Sequence, residues 1–186
     1  KIRNYEVNKQ SNILVNNFKW KSNKWLSKLG FENHFEGIAK AVNYDAKNTK
    51  EFKNDSVNSE LNPALGYFAK LGLYKNDIFN KNFHTLTPKF LLRYAPGHMR
   101  NIEGGRLNYA NLFSLNKVNQ TDVVESGLST SIGFEYKKNK LDKKNNIGEE
   151  ILSFAVGQVI SSKENFDIPS STSLDQRVSD LVGTSS

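Results

Sequence analysis

Residues 123–136 read VVESGLSTSIGFEY, and this stretch decides the fold. The even positions from Val124 to Tyr136 are mainly apolar and end in aromatics, whereas the odd positions are small, polar or acidic. Strict alternation with a period of two is typical of a β-strand whose two faces meet different surroundings. A tilted strand needs about 9–11 residues to cross a bilayer, with lipid on one side and a polar lumen on the other. The stretch therefore predicts a membrane-crossing strand.

The same kind of pattern recurs along the chain, and no segment has a helical period. Besides the central strand, we predict strands at Ser11–Trp20, Trp25–Val42, Leu61–Tyr74, His84–Ala95 and Glu149–Ser161, and the opening of another at Arg177–Val182. Pro88 would forfeit a ladder hydrogen bond, so we expect it near a strand start or at a bulge. The expected fold is an all-β, antiparallel up-and-down meander of about seven strands, a segment of a large transmembrane β-barrel.

The predicted connections alternate in length along the chain. The shorter ones are 21–24, 75–83 and 139–148, and the longer ones are 43–60, 96–122 and 162–174. Outer-membrane barrels have short periplasmic turns and longer external loops, so we expect the long connections to lie outside the cell. Several aromatics near strand ends fit either an interfacial girdle or ordinary core and edge positions: Trp20, Trp25, Tyr67, Tyr74, Tyr94 and Tyr136.

The composition of the chain limits the classes of binding partner that we expect. The net charge is +7, but most basic residues fall in predicted loops, and no strand has the basic and aromatic pattern of a nucleic-acid platform. We therefore expect no nucleic-acid partner. Loop cations could meet an anionic surface, and the candidates are Lys47, Lys50, Lys53, Arg100 and Arg106. Both termini read as cuts through a longer chain, so we expect residues 1–186 to be part of a barrel domain.

No group of residues has the arrangement of a catalytic or metal site. His34, His84 and His98 stand on different segments without metal-ligand spacing. Glu125 and Glu135 would lie ~33 Å apart along one strand, too far for an acid–base pair. The sequence therefore predicts a protein that is not an enzyme and has no cofactor or metal.

The functional candidates are instead the two faces of the sheet. The predicted lumen-facing residues are Lys89, Arg93, Glu125, Ser129, Ser131, Glu135, Ser153 and Gly157. The predicted lipid-facing residues are Leu86, Phe90, Leu92, Leu128, Ile132, Phe134, Leu152, Phe154 and Val156. A polar wall with small residues leaves room for a polar or charged head group.

Short motifs in a fixed order resemble one known family. They are Leu86–Phe90 followed by Tyr94-Ala95-Pro96, Asn111–Ser114 with Asn116-Lys117, Asp122–Gly127, Val156-Gly157-Gln158, and Arg177–Asp180 followed by Gly183. Their order and spacing over residues 61–183 resemble the C-terminal barrel domain of the LptD family, the LPS-assembly or organic solvent tolerance proteins. Val123 and Lys117 stand where that family usually has arginine, and neither can replace an arginine fork.

The resemblance implies an outer-membrane barrel of a Gram-negative bacterium that assembles lipopolysaccharide (LPS) into the outer leaflet. It also implies three kinds of partner besides LPS: an LptE-like lipoprotein that plugs the lumen, periplasmic LPS bridge proteins that would contact regions outside this sequence, and outer-membrane lipid. Two alternatives stay open on the sequence. One is a segment of another barrel, such as a porin or a transporter, and the other is a soluble β-sandwich binding module.

Overall fold

The computed structural model describes residues 10–48, 52, 57–141 and 146–186. The strands in these residues form one antiparallel sheet. Its strand order is β1-β3-β4-β6-β7-β8-β9, with β2 paired to β3 and β5 to β6. The fold is an all-β meander with open edges, as expected for a barrel segment. The strands are β1 Gln10–Lys21, β2 Trp25–Leu26, β3 Phe31–Lys47, β4 Val57–Leu71, β5 Leu73–Asp77, β6 Asn82–Ala95, β7 Gly127–Leu141, β8 Ile147–Ser161 and β9 Val182–Ser185; a 3-10 turn spans Ser170–Thr172.

Helical structure is minor. Within the described part of the chain, no helix is long and apolar enough to cross a membrane.

The sheet has two unlike faces. Adjacent strand residues point to opposite sides, and the register aligns Leu91 with Ser131 and Leu92 with Thr130. Leu91 and Ser131 are fully buried, whereas Leu92 and Ile132 are 40% and 42% exposed. We call the side of Leu91 the covered face and the side of Leu92 the open face. All described strands belong to a single sheet, so no second sheet packs on the open face as a β-sandwich would require.

The covered face is buried because residues 96–126, which connect β6 to β7, lie across it; we call them the inward loop. Leu115 and Val124 of the loop pack with Ile38, Ala64 and Leu91 of the sheet. Burying one such leucine contributes about 1.5–3 kcal/mol. A second cluster joins the inward loop to β8 and to the connection 162–181, through Met99, Leu107, Leu112, Val118, Val123, Val159, Ile168 and Leu174. The hydrophobic core therefore lies between the sheet and its own loops.

The two longest connections lie at one edge of the sheet. The meander places 96–126 and 162–181, which follow β6 and β8, at that edge, and 22–30 and 78–81, which follow β1 and β5, at the opposite one. The two longest are hydrogen-bonded to each other, since Ile102 N–H donates to the Asp167 carbonyl at 3.0 Å and Leu107 N–H to that of Thr172 at 3.4 Å. Which edge faces outward from the cell stays a prediction.

The central strand begins later than its pattern predicted. β7 starts at Gly127, whose φ of 107° turns the chain. Val123, Val124 and Glu125 belong to the inward loop and are buried, so Val124 does not share the open face with Leu128. The alternation continued by chance across a bend that only the tertiary packing reveals.

Trp25–Val42 is not one strand, contrary to expectation. β2 has only two residues, and a turn follows in which Gly30 N–H donates to the Ser27 carbonyl at 2.9 Å and Gly30 has a φ of 85°. β3 then runs on to Lys47, which shortens the predicted loop 43–60 to residues 48–56. The turn 139–148 shrinks in the same way, because β7 reaches Leu141 and β8 starts at Ile147.

Pro88 lies in the middle of β6, so the expectation of a strand start or bulge was wrong. It pairs with Phe134 of β7 without a register shift. On its other side the ladder is interrupted: Lys70 pairs with Lys89 and Leu73 with Leu86 in one register, while Leu71 at the end of β4 and Gly72, which separates β4 from β5, have no register partner on β6. A proline has no N–H for such a ladder.

The last predicted strand is also displaced. Val178 makes only an isolated bridge to Ile160, and the strand proper is β9 from Val182 to Ser185.

Candidate functional site

Arg93 of β6 is the centre of the attachment between sheet and inward loop. It is 1% exposed. Its Nε donates to the Leu115 carbonyl at 2.7 Å, and its Nη2 donates to the Glu125 carbonyl. The Glu125 carboxylate lies 3.8 Å from the same Nη2 and accepts the Lys117 backbone N–H at 2.7 Å. One guanidinium thus fixes two points of the loop and partly compensates a buried carboxylate.

Three further side chains of the sheet donate to loop carbonyls. Lys40 Nζ donates to the carbonyls of Val123, at 3.0 Å, and of Gln120. Asn62 Nδ2 donates to the Asp122 carbonyl at 3.2 Å. Ser131 Oγ donates to the Leu112 carbonyl at 2.7 Å. Buried polar groups are expensive unless paired, so these contacts hold the loop in one position.

Glycines in the strands receive the apolar side chains of the loop. A Cβ added to Gly157 would lie 2.4 Å from Leu112 Cδ2, and one added to Gly66 would lie 2.6 Å from Leu115 Cδ2. Real Cβ atoms do not approach so closely, and larger residues here would push the loop away. Leu112 of the Asn-Leu-Phe-Ser motif and Leu115, just after the motif, are therefore seated in hollows of the sheet.

Lys117 is an unusual buried cation. Its Nζ has no hydrogen-bond partner among the described residues, and neither has Glu125 Oε2. Burial, reinforced by the nearby Arg93 charge, lowers the pKa of Lys117 to about 7. A cavity of about 170 Å³ adjoins these three side chains.

Arg100 holds the start of the inward loop against its end. Its Nη2 donates to Asp122 Oδ2 and its Nε to Glu60 Oε2, both at 2.8 Å. The guanidinium carbon also lies 4.2 Å from the Phe52 ring centroid and 5.6 Å from that of Tyr44. Burial works to lower the pKa of Arg100, but the hydrogen bonds with Asp122 and Glu60 outweigh it and raise that pKa.

These contacts correct one sequence hypothesis. Arg100 is engaged by two carboxylates and largely buried, so it does not offer a free charge to an anionic surface. Lys47 and Arg106 are exposed, and their role stays a prediction. Lys50 and Lys53 lie outside the described residues.

The structure brings most of the predicted lumen-facing residues together. Those at covered-face positions are Lys89, Arg93, Ser129, Ser131, Glu135, Ser153 and Gly157. Glu125 is the exception, because it lies in the inward loop and not on β7. Lys89 and Glu135 form an ion pair. Lys40, Asn62 and Lys117 were not predicted as lumen-facing residues.

The predicted lipid-facing residues all fall on the open face. They are Leu86, Phe90, Leu92, Leu128, Ile132, Phe134, Leu152, Phe154 and Val156. Four of them, Leu86, Ile132, Phe134 and Val156, also line a shallow groove together with Pro88 and Leu181. It stays a prediction that lipid covers the open face, and it stays a prediction that the covered face borders a lumen.

Nothing in the described part of the chain resembles a metal centre: no three or more His, Cys, Asp or Glu side chains cluster there.

Comparison with known proteins gives one match. The sequence model of a protein family described as "LptD: LPS transport system D" matches residues 39–186. A comparison with curated proteins found no match.

Proposed function

The chain belongs to the LptD family of LPS transport proteins, and we propose that it is part of the outer-membrane translocon that assembles LPS into the outer leaflet. Membership of the family gives it a role in LPS transport. The step, the membrane and the direction of transport are our proposal.

The observation that carries the proposal is the contrast between the two faces of one sheet. The open face leaves large apolar side chains such as Leu128, Ile132 and Phe154 exposed at 43%, 42% and 39%. Monomeric soluble proteins rarely expose a continuous apolar surface of this kind. The covered face carries Lys89, Arg93 and the small residues around them. Lipid outside and a polar lumen inside account for both faces.

The proposed mechanism is passage without covalent chemistry. The saccharide and phosphate part of LPS would move along the polar side of the sheet, while the acyl chains leave sideways into lipid. The inward loop narrows the space beside the covered face. An LptE-like lipoprotein plug and periplasmic bridge proteins would complete the pathway through parts of the protein outside these residues.

Depletion of the intact protein in the living bacterium tests the proposal. We expect less LPS at the cell surface, measured by labelling surface sugars of whole cells, with recovery when the protein is restored. Unchanged surface LPS after depletion would contradict it. Reconstitution in planar bilayers addresses the porin alternative, since a steadily open, ion-conducting pore would favour that class instead.

A further inference from the structure

A polar cavity of about 660 Å³ lies between the inward loop and the strands β1 and β3. We propose that this cavity binds a saccharide that carries an acidic group such as a phosphate. The inference rests on the proposed function and deepens it, because it assigns the polar part of the transported molecule to one place on the covered face. The volume is within the range of about 300–1,000 Å³ that is usual for small-molecule sites.

Positive charge without a counter-ion marks the mouth of the cavity. Lys19 and Lys21 are exposed and stand two residues apart on β1, so their Cα atoms are about 7 Å apart. Both line the cavity. Neither has a carboxylate within ion-pair distance in the described residues, although Glu36, the one acidic residue of the lining, is the register partner of Lys21. Two free ammonium groups on one side of a cavity attract a phosphate or a carboxylate.

The wall of the cavity offers groups that suit sugar hydroxyls. Asn116 Nδ2 donates to the Gln120 carbonyl at 2.8 Å, but Asn116 Oδ1 is buried and has no donor among the described residues. A buried acceptor without a donor costs about 1–3 kcal/mol. A hydroxyl that enters the cavity would supply this donor. Asn17, Asn119 and Thr121 add further amide and hydroxyl groups.

The neighbouring polar cavity has this property only in part, because it shares Lys21 and Glu36 with the larger cavity but does not include Lys19. Its volume is about 340 Å³, and it includes Glu32, Lys70 and Lys89. There Glu32 is paired with Lys24 at 2.8 Å and with Lys70 at 3.4 Å, and Lys89 is paired with Glu135. Lys24, Lys70 and Lys89 are therefore already neutralised by the protein. Only the larger cavity has Lys19 beside Lys21, and this pair of unneutralised lysines distinguishes it as the anion-binding place.

The first test measures LPS binding to the intact protein in detergent. The probes are purified LPS, the same LPS after enzymatic dephosphorylation, and glucosamine 1-phosphate. The double variant Lys19→Gln with Lys21→Gln should bind phosphorylated LPS about tenfold more weakly, since two charge-assisted contacts are lost. Lys28→Gln is the matched control, because Lys28 is an exposed lysine of the turn between β2 and β3, away from the cavity.

The outcomes separate the two proposals. Equal affinity of the double variant and the Lys28 variant for phosphorylated LPS would overturn the cavity site and leave the proposed function intact. No LPS binding by the unchanged protein would count against the proposed function itself. A wild-type preference that survives dephosphorylation would also overturn the anion site. Binding of glucosamine 1-phosphate that the double variant loses would show that a free sugar phosphate suffices.

A photo-crosslinking amino acid gives a second readout that does not depend on affinity. We would place it at Thr121, which lines the cavity, and at Thr130, which is on the open face. Thr121 should crosslink to the sugar part of LPS in cells, and the product should keep its saccharide after the acyl chains are removed. Thr130 should not. A crosslink from Thr121 only to another segment of the same protein would mean that the chain itself fills the cavity, and would overturn the proposal.

Discussion

Arg93 shows how much a single side chain decides in this fold. Its guanidinium contacts the carbonyls of Leu115 and Glu125 and lies beside the Glu125 carboxylate. Removing one partner of a buried ion pair is costly because the other charge is left without compensation. The attachment of the inward loop therefore depends on this residue more than on any exposed charge.

Arg93→Met in the intact protein should destabilise it by about 3–5 kcal/mol and release the inward loop. Urea unfolding measures the loss of stability, and limited proteolysis between residues 97 and 126 measures the release. Arg106→Met is the control, since Arg106 is an exposed arginine of the same loop. Equal protease resistance of the two variants would show that Arg93 does not hold the loop.

Lys117 leads to a prediction about pH. The pKa of Lys117 is lowered from 10.5 to about 7 in the folded protein, so between these values the unfolded chain binds more protons than the folded one. Stability should therefore rise as the pH increases from about 7 to about 10. Lys117→Met should remove this contribution and flatten the curve, measured as the urea midpoint in intact protein.

The control for this prediction is Lys28→Met, which changes an exposed lysine and should keep the pH slope of the unchanged protein. A slope that persists in the Lys117 variant would mean that other groups produce it.

At the scale of elements, apolar side chains of the inward loop pack against strand positions where a glycine leaves room for them. Gly157→Ala would bring a Cβ within 2.4 Å of Leu112 Cδ2 and 2.6 Å of the Ile132 carbonyl oxygen. Overpacking of this kind costs about 1–3 kcal/mol. We expect a lower urea midpoint and faster cleavage of the loop by protease.

Gly104→Ala is a matched control within the loop. Its added Cβ would meet nothing closer than Gln120 Nε2 at 3.7 Å, and Gly104 does not have a positive φ. It should be close to neutral. If both alanine variants behave alike, the hollow at Gly157 is not what seats the loop.

The sequence predicted which segments form strands better than it predicted where each strand begins and ends. β8 and most of β7 follow from alternation, because their two faces meet different surroundings along the whole length. Val123 and Val124 continue the same alternation and yet lie in a loop, since a period of two cannot distinguish a strand from an extended segment packed on a core. The break at Gly30 and the ladder interruption opposite Pro88 depend on backbone geometry that neighbouring residue types do not reveal.

The candidate site was only partly predictable for a related reason. Alternation placed Lys89, Arg93 and Ser131 on one side of the sheet. Their partners could not be read from the sequence, because most of the acceptors for Arg93 and Ser131 are main-chain carbonyls of a distant segment. The cavity beside β1 is likewise formed only when the inward loop lies across β3.

At the scale of the whole molecule, we predict that lipid contacts the open face of the sheet and that water contacts the covered face. The chain has no cysteine, so single cysteines can carry spin labels without background. A label at Ile132 of the reconstituted protein should be relaxed mainly by oxygen, which concentrates in lipid. A label at Lys19, on the covered side of β1, should respond to a water-soluble nickel complex. The reverse result, or equal access of both reagents at both positions, would contradict a lipid-facing open face.

The open edges of the sheet give a further expectation. β1 and β9 each have one side without a partner strand in the described residues, and unpaired strand edges promote association. The 186-residue chain expressed alone should aggregate in buffer and recover a β-rich circular dichroism signal in detergent. A soluble monomer with one cooperative melt would contradict a membrane-embedded sheet.

The hydrogen bonds from Lys40, Asn62, Arg93 and Ser131 end on main-chain carbonyls of the inward loop. Every residue type supplies such a carbonyl, so selection can alter many loop side chains while the attachment persists. A saturation mutagenesis library should therefore be intolerant at the four donors and permissive at Gln120 and other acceptor positions whose side chains are not packed in the core. The anchor would let the loop diversify without loss of the fold beneath it.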